Sequence, residues 1–139
     1  MIRARLALVL ACLAVGSTGL ADAAPAPLLF GTLRVTVDGV MGAGGTLRIG
    51  LHDEATFPDT KALPLRKTDL PKIAGDVSVV FDRLPPGDYA LSAFQDVNDN
   101  GRWDAGEPFA NSNGAAAGDF ANAAIEIAPG TTTAMLHLK

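Results

Sequence analysis

The sequence predicts an all-β fold: a Greek-key β-sandwich, immunoglobulin- or transthyretin-like, with about seven strands. Three observations carry that expectation. Apolar and polar residues alternate in several short runs, the two-residue period of half-buried strands and not the longer period of helices. Adjacent proline and glycine residues punctuate the runs. One proline-rich stretch without periodicity is long enough to cross from one sheet to another.

The first run, TLRVTVD, puts Leu33, Val35 and Val37 on one face, and the second, TLRIGLH, does the same with Leu47, Ile49 and Leu51. Between them GVMGAGG reads as a flexible loop. A phosphate cradle would need a helix to begin after the glycines, and a strand follows instead. Residues 55–72, ATFPDTKALPLRKTDLPK, hold three prolines and read as the long crossing connection, with room for a short helical turn. DVSVVFD then presents Val77, Val79 and Phe81, and DYALSAF presents Tyr89, Leu91 and Ala93. LPPGDY sets Pro86 and Gly87 at the second and third positions of a turn, and Pro129 and Gly130 repeat the arrangement, so both are expected to close hairpins. The last two runs, AIEIA and TTAMLHL, offer Ile125 and Ile127, then Ala134, Leu136 and Leu138, with a further short strand expected near Phe109. GAAAGDFANAA is alanine-rich but interrupted by Gly114 and Gly118, so no long helix is expected.

The chain opens with Arg3, Arg5, an apolar run from Leu6 to Val15 and the small-residue triplet Ala21, Asp22, Ala23, the build of a secretory signal peptide cut after Ala23. Residues 1–23 are read as leader and 24–139 as one β-sandwich domain in the periplasm or outside the cell. The apolar run is too short to span a bilayer, and no second one follows. VLAC loosely fits a lipobox, which keeps lipidation of Cys12 as an alternative. Cleavage after residue 23 of 139 leaves 116 residues, enough for a core of their own. The net charge of −4 moves to −5 when Arg3, Arg5 and Asp22 leave, which argues against nucleic acid or anionic lipid as a partner. Cys12, the single cysteine, departs with the leader, so the domain has no disulfide.

The chemistry concentrates in residues 96–107, DVNDNGRWDAGE. Calcium takes six to eight oxygen ligands, and a twelve-residue loop wraps it when alternate side chains turn inward. Asp96, Asn98 and Asn100 would give side-chain oxygens, Arg102 its carbonyl, Asp104 a direct or water-mediated oxygen, and Glu107 two oxygens at the closing position. Gly101 permits the reversal. A plain Asn-Gly hairpin turn is the rival reading, but Gly106 and Pro108 interrupt the strand it would require. The preceding segment reads as a strand, so an ion here would clamp the loop and would not swing a helix pair. Trp103 is expected to pack inward, with an exposed contact for a sugar or a partner, shared with Phe109, as the alternative. Asp53 follows its strand as Asp96 does, so it, or Glu54, is a candidate further ligand if both strands end at one rim. His52 and His137 are placed on outward faces and lack a third ligand for zinc.

Catalysis is not expected. The domain has no cysteine, no GxSxG elbow and two histidines. Asp104 and Glu107 could be paired for glycosidase chemistry, but their spacing is better explained by ligation.

From LPPGDYALSAFQDVNDNGRWDAGEPFANSNG through FANAAIEIAPG the sequence resembles the exported bacterial family catalogued as domain of unknown function 2141, in which LPPGxYA is followed by HDxNxNGxxD. That resemblance implies a secreted or periplasmic β-sandwich and no particular activity. Gln95 stands where the family commonly has histidine, and the spacing from Asp104 to Pro108 is shorter. With Glu107 so placed, the loop is similar to that of the calcium-stabilised B-type repeats of bacterial adhesins, and LPPGDY to turns of carboxypeptidase-regulatory-like and collagen-adhesin modules. The expectation is a calcium-stabilised structural or binding module whose partner is an unidentified envelope or extracellular protein or glycan. Two alternatives stand beside it: a carbohydrate or small-molecule binding domain organised by the metal, and a carboxylate-dependent hydrolase.

Overall fold

In the computed structural model, residues 25, 29–42, 44–57, 62–71 and 75–139 are described. The expected leader, its cleavage site and Cys12 lie outside them. Among the described residues eight strands form, β1 (Gly31–Asp38), β2 (Thr46–His52), β3 (Arg66–Pro71), β4 (Val77–Leu84), β5 (Gly87–Asp96), β6 (Phe109–Asn111), β7 (Ile125–Ile127) and β8 (Gly130–His137), with a 3-10 turn at Ser112–Gly114 and one short α-helix, α1 (Phe120–Ala123). They make an all-β sandwich of two sheets. The smaller has the order β4-β1-β8, and the larger the order β3-β2-β5-β6, with β7 also on β5.

The alternation read from the sequence is what closes the two sheets together. Leu33, Val35 and Val37 of β1, Val79 and Phe81 of β4 and Leu136 of β8 face Leu47, Ile49 and Leu51 of β2 and Leu91 and Ala93 of β5 in one continuous core. Burying a side chain of this size contributes roughly 1.5 to 3 kcal/mol. The pairing directions were less legible. The turn at Pro86 and Gly87 does not close a hairpin: β4 belongs to the smaller sheet and β5 to the larger. The Pro129 and Gly130 turn likewise carries the chain from β7 in the larger sheet to β8, which runs parallel to β1 with Ala134 opposite Val35. A proline and glycine pair reverses the chain, but only the core decides which sheet receives the next strand. The Tyr89 hydroxyl donates to the Pro85 carbonyl at 2.8 Å and fixes the first crossing, as a tyrosine corner does in immunoglobulin-like sandwiches.

The expected crossing connection, residues 55–72, contains β3, which pairs antiparallel with β2. Its residues, RKTDLP, are largely exposed and show no apolar alternation, because it is an edge strand whose charges and terminal proline discourage further pairing. The other edge of β5 is divided between β6 at Ser92 to Phe94 and β7 at Gly87 to Tyr89. In the gap, the Leu91 amide donates to Ser112 Oγ at 3.0 Å, and that hydroxyl donates to the Ala123 carbonyl. Phe57, Ala90 and Ala123 form a second small core, with Phe120 packed on it.

Candidate metal centre and adjoining groove

Strand β5 delivers Asp96 to the rim of the larger sheet with its side chain fully buried. Such a carboxylate must be paired. Arg48 Nε donates to Asp96 Oδ2 at 2.8 Å, the Gly101 amide donates to the same oxygen at 2.8 Å, and the Asn100 amide donates to Oδ1 at 3.1 Å. Burial pushes the Asp96 pKa up, but Arg48 and the two amides outweigh it and hold the carboxyl below its ordinary value. The Arg48 pKa is raised by its hydrogen bond to Asp96 against the cost of burial, with Asp69 and Asp99 adding to the effect. Its Nη1 also donates to Asp69 Oδ2 at 3.1 Å, so the guanidinium ties the loop to edge strand β3.

The rest of the loop is wound on the same frame. Asn98 Oδ1 accepts from the Asn100 amide at 3.1 Å, and Asn100 Oδ1 from the Arg102 amide at 2.8 Å. Both amide nitrogens converge on Asp104 Oδ2, from Asn98 at 2.9 Å and from Asn100 at 2.5 Å. Glu107 closes the loop: Oε1 accepts from the Val97 amide at 2.8 Å and Oε2 from the Asp104 amide at 2.9 Å. Gly101 has φ of +84° and supplies the expected reversal. Asp96, Asn98, Asn100, Arg102, Asp104 and Glu107 are thus brought into one hydrogen-bonded unit. Their carboxylates do not converge, and among the described residues no three His, Cys, Asp or Glu side chains are clustered tightly enough to hold a metal by themselves. An ion here depends on amide and backbone oxygens as well. An ion among them would have to displace the Asn98 and Asn100 amide nitrogens from Asp104 Oδ2, while both Oδ1 atoms keep the backbone amides they accept.

Two expectations about neighbouring residues are corrected. Asp53 is not at this rim: the antiparallel pairing sets Thr46 opposite Asp96 and His52 opposite Ala90, so Asp53 lies beyond the far end of β2, about 20 Å away along the strand. There it caps a turn, its Oδ1 accepting from the Thr56 amide at 2.9 Å. Trp103 does not pack inward. It is 48% exposed, and its ring stands edge-on to Phe109, itself 44% exposed, at 5.4 Å, while Nε1 donates to the Glu107 carbonyl at 2.9 Å. His52 lies on the outer face of its strand, as expected, but it is buried there. Phe57 covers it at 5.8 Å, and its Nε2 is hydrogen-bonded to Ser92 Oγ at 2.7 Å. Burial lowers the His52 pKa, with Asp53 and the Thr56 backbone opposing, and its Nδ1 is buried without a hydrogen-bond partner. His137 is exposed and paired with Asp38.

Sequence reasoning missed the supports of the loop. Arg48, Thr46 and Gln95 lie far from it or outside its motif. Thr46 Oγ1 donates to Asp99 Oδ1 at 2.6 Å. The buried Gln95 amide donates to the Met41 and Gly44 carbonyls and accepts from the Met41 amide, which pins the glycine-rich loop expected to be flexible. Gly45, at φ +82°, passes so close that an added Cβ would stand 2.2 Å from the Asp96 carbonyl oxygen.

Beside the loop, the outer face of the larger sheet holds a groove of about 760 Å³. Gly50 lies at its floor between Lys67 on one neighbouring strand and Ser92 on the other, with Asn111 opposite Ser92. Gly101, Arg102 and Trp103 of the loop and Phe109 form one of its walls.

The fold and loop together define an all-β sandwich with a polar loop wound on its rim. A family model described as "Uncharacterized protein conserved in bacteria (DUF2141)" matches residues 35–135, and the chain belongs to that family. No curated protein and no solved structure matches the chain. Among the described residues no helix is long and apolar enough to cross a membrane.

Proposed function

We propose that this is an exported, calcium-stabilised sandwich module with a structural or binding role in the bacterial envelope or outside the cell. What carries the reading is the loop frame. The first side chain accepts from the fifth and sixth backbone amides, the third and fifth side chains accept two residues onward, and the twelfth side chain ties the loop shut. An ion among Asp96, Asn98, Asn100, the Arg102 carbonyl, Asp104 and Glu107 would replace the convergence of amide nitrogens on Asp104. Its affinity would be modest, about 10⁻⁴ to 10⁻³ M, as in extracellular calcium modules. Arg48 already neutralises part of Asp96, which also favours weak binding. Calorimetric titration of chelator-treated protein with calcium tests this, and no heat of binding at millimolar calcium would remove the claim. N-terminal sequencing of protein recovered from the periplasm or medium should begin at Ala24; an intact leader in the cytoplasm would contradict export.

A second reading is a carbohydrate or small-molecule binding domain in which the loop organises the site. The observation favouring it is the exposed Trp103 and Phe109 pair on the wall of the groove. Exposed aromatic faces beside hydrogen-bonding side chains suit a sugar ring. Sugar-array binding that is lost in Trp103→Ala would support this reading, and undiminished binding in that variant would count against it.

A further inference from the structure

We propose that the groove on the outer face of the larger sheet takes an acidic saccharide, a short uronate chain, with its carboxylates drawn to Lys67 and Arg102 and its ring faces laid on Trp103 and Phe109. The inference rests on the second reading above and specifies its ligand.

The charge of the groove is the reverse of the charge of the molecule. The protein carries a net charge of −4, yet the groove is lined by Arg48, Lys67 and Arg102 against the single carboxylate, among its described lining residues, of Asp69. Asp69 is already shared, accepting from Arg48 at 3.1 Å and lying 3.6 Å from Lys67 Nζ. Arg48 spends its charge on Asp96 and Asp69. Lys67 is two-thirds exposed, and Arg102 makes no ion pair among the described residues. Arg48, Lys67 and Arg102 set against Asp69 and Asp96 leave one net positive charge, carried by Arg102 and by Lys67, which only shares Asp69 with Arg48, to attract an anion in a protein whose overall field would repel one. Nucleic acid needs a wider run of cations than this groove holds, and the groove offers side-chain donors and stacking faces that a bare inorganic anion would not use.

The remaining surfaces suit a sugar. Gly50 has no side chain to fill the floor, and a Cβ there would stand 2.9 Å from His52 Nε2 and 3.3 Å from Ser92 Oγ. The Ser92 hydroxyl, held by His52, and Asn111 across the strand pair stand where ring hydroxyls would meet them. Because Arg102 and Trp103 belong to residues 96–107, an ion that orders the loop would also order this wall. Calcium and the saccharide should then each tighten the other's binding.

The test is a nitrogen-15 NMR titration of the calcium-saturated protein with trigalacturonate and, separately, with the neutral galactotriose. The expected result is binding of trigalacturonate at least about tenfold tighter than that of the neutral sugar, with amide shifts centred on Gly50, Ser92 and Trp103 and weakening as salt is raised. Lys67→Ala and Arg102→Ala should each reduce the uronate's affinity several-fold without changing the melting temperature, and Lys67→Arg should restore it. Equal binding of both sugars, lost in Trp103→Ala, would overturn the acidic ligand and leave the saccharide reading standing. Binding of neither, or shifts confined to another face, would overturn both. The calcium site is judged separately, by melting with and without chelator.

Discussion

Arg48 is the residue on which the loop's position depends most directly. Removing it leaves a buried Asp96 with two backbone amides and no counter-charge. Arg48→Ala should therefore destabilise the fold by about 2 to 4 kcal/mol, measured by urea unfolding, whereas Arg102→Ala should change it little. Gly45→Ala places a Cβ against the Asp96 carbonyl in a backbone conformation that alanine resists. It should cost more than about 1 kcal/mol by the same measurement. His52 gives the pH dependence. Its folded pKa lies below its unfolded value of about 6.5 because burial disfavours the cation, so the unfolded chain binds the proton more readily. Its stabilising contribution is complete above about pH 6.5 and declines as the pH falls toward the folded pKa. Unfolding midpoints followed from pH 7.5 down to 5 should fall, and His52→Gln should flatten that slope. Asp96, whose pKa is also lowered, adds a loss that begins only below its own unfolded value near 4.

At the scale of elements, the strands with one buried face were legible because burial writes itself as alternation. β1, β2, β4, β5, β7 and β8 were all read from their own residues. β3 was not, since an exposed edge strand has no buried face to write, and Arg66 to Pro71 look like connector. The pairing of strands was hidden for another reason. The Pro86 and Pro129 turns are local signals, and each strand's partner is chosen by contacts far along the chain. The same division runs through the site. Residues 96–107 are consecutive, so their pattern was visible, while Arg48 and Thr46 reach the loop across about fifty residues of sequence. Asp53 was misplaced because the register between β2 and β5 was unknown, and an antiparallel pair sends the two strand ends to opposite rims. Glu107→Gln would keep one acceptor but lose the charge that receives both the Val97 and Asp104 amides. It should loosen the loop, seen as faster hydrogen exchange at those two amides than in the parent protein, while β1 and β2 exchange unchanged.

For the whole molecule, the sandwich core is continuous without the loop, so the ion would be a staple on an already folded domain and not the condition for folding. That separates it from small metal domains that unfold when chelated. The central claim is accordingly tested by the melting temperature in 10 mM calcium against the same protein in excess chelator. At the proposed affinity calcium should raise it by about 5 to 10 °C, a rise absent from an Asn98→Ala, Asp104→Ala variant that leaves buried Asp96 and its Arg48 partner in place. Equal melting temperatures with calcium and with chelator, or an undiminished rise in that variant, would contradict it.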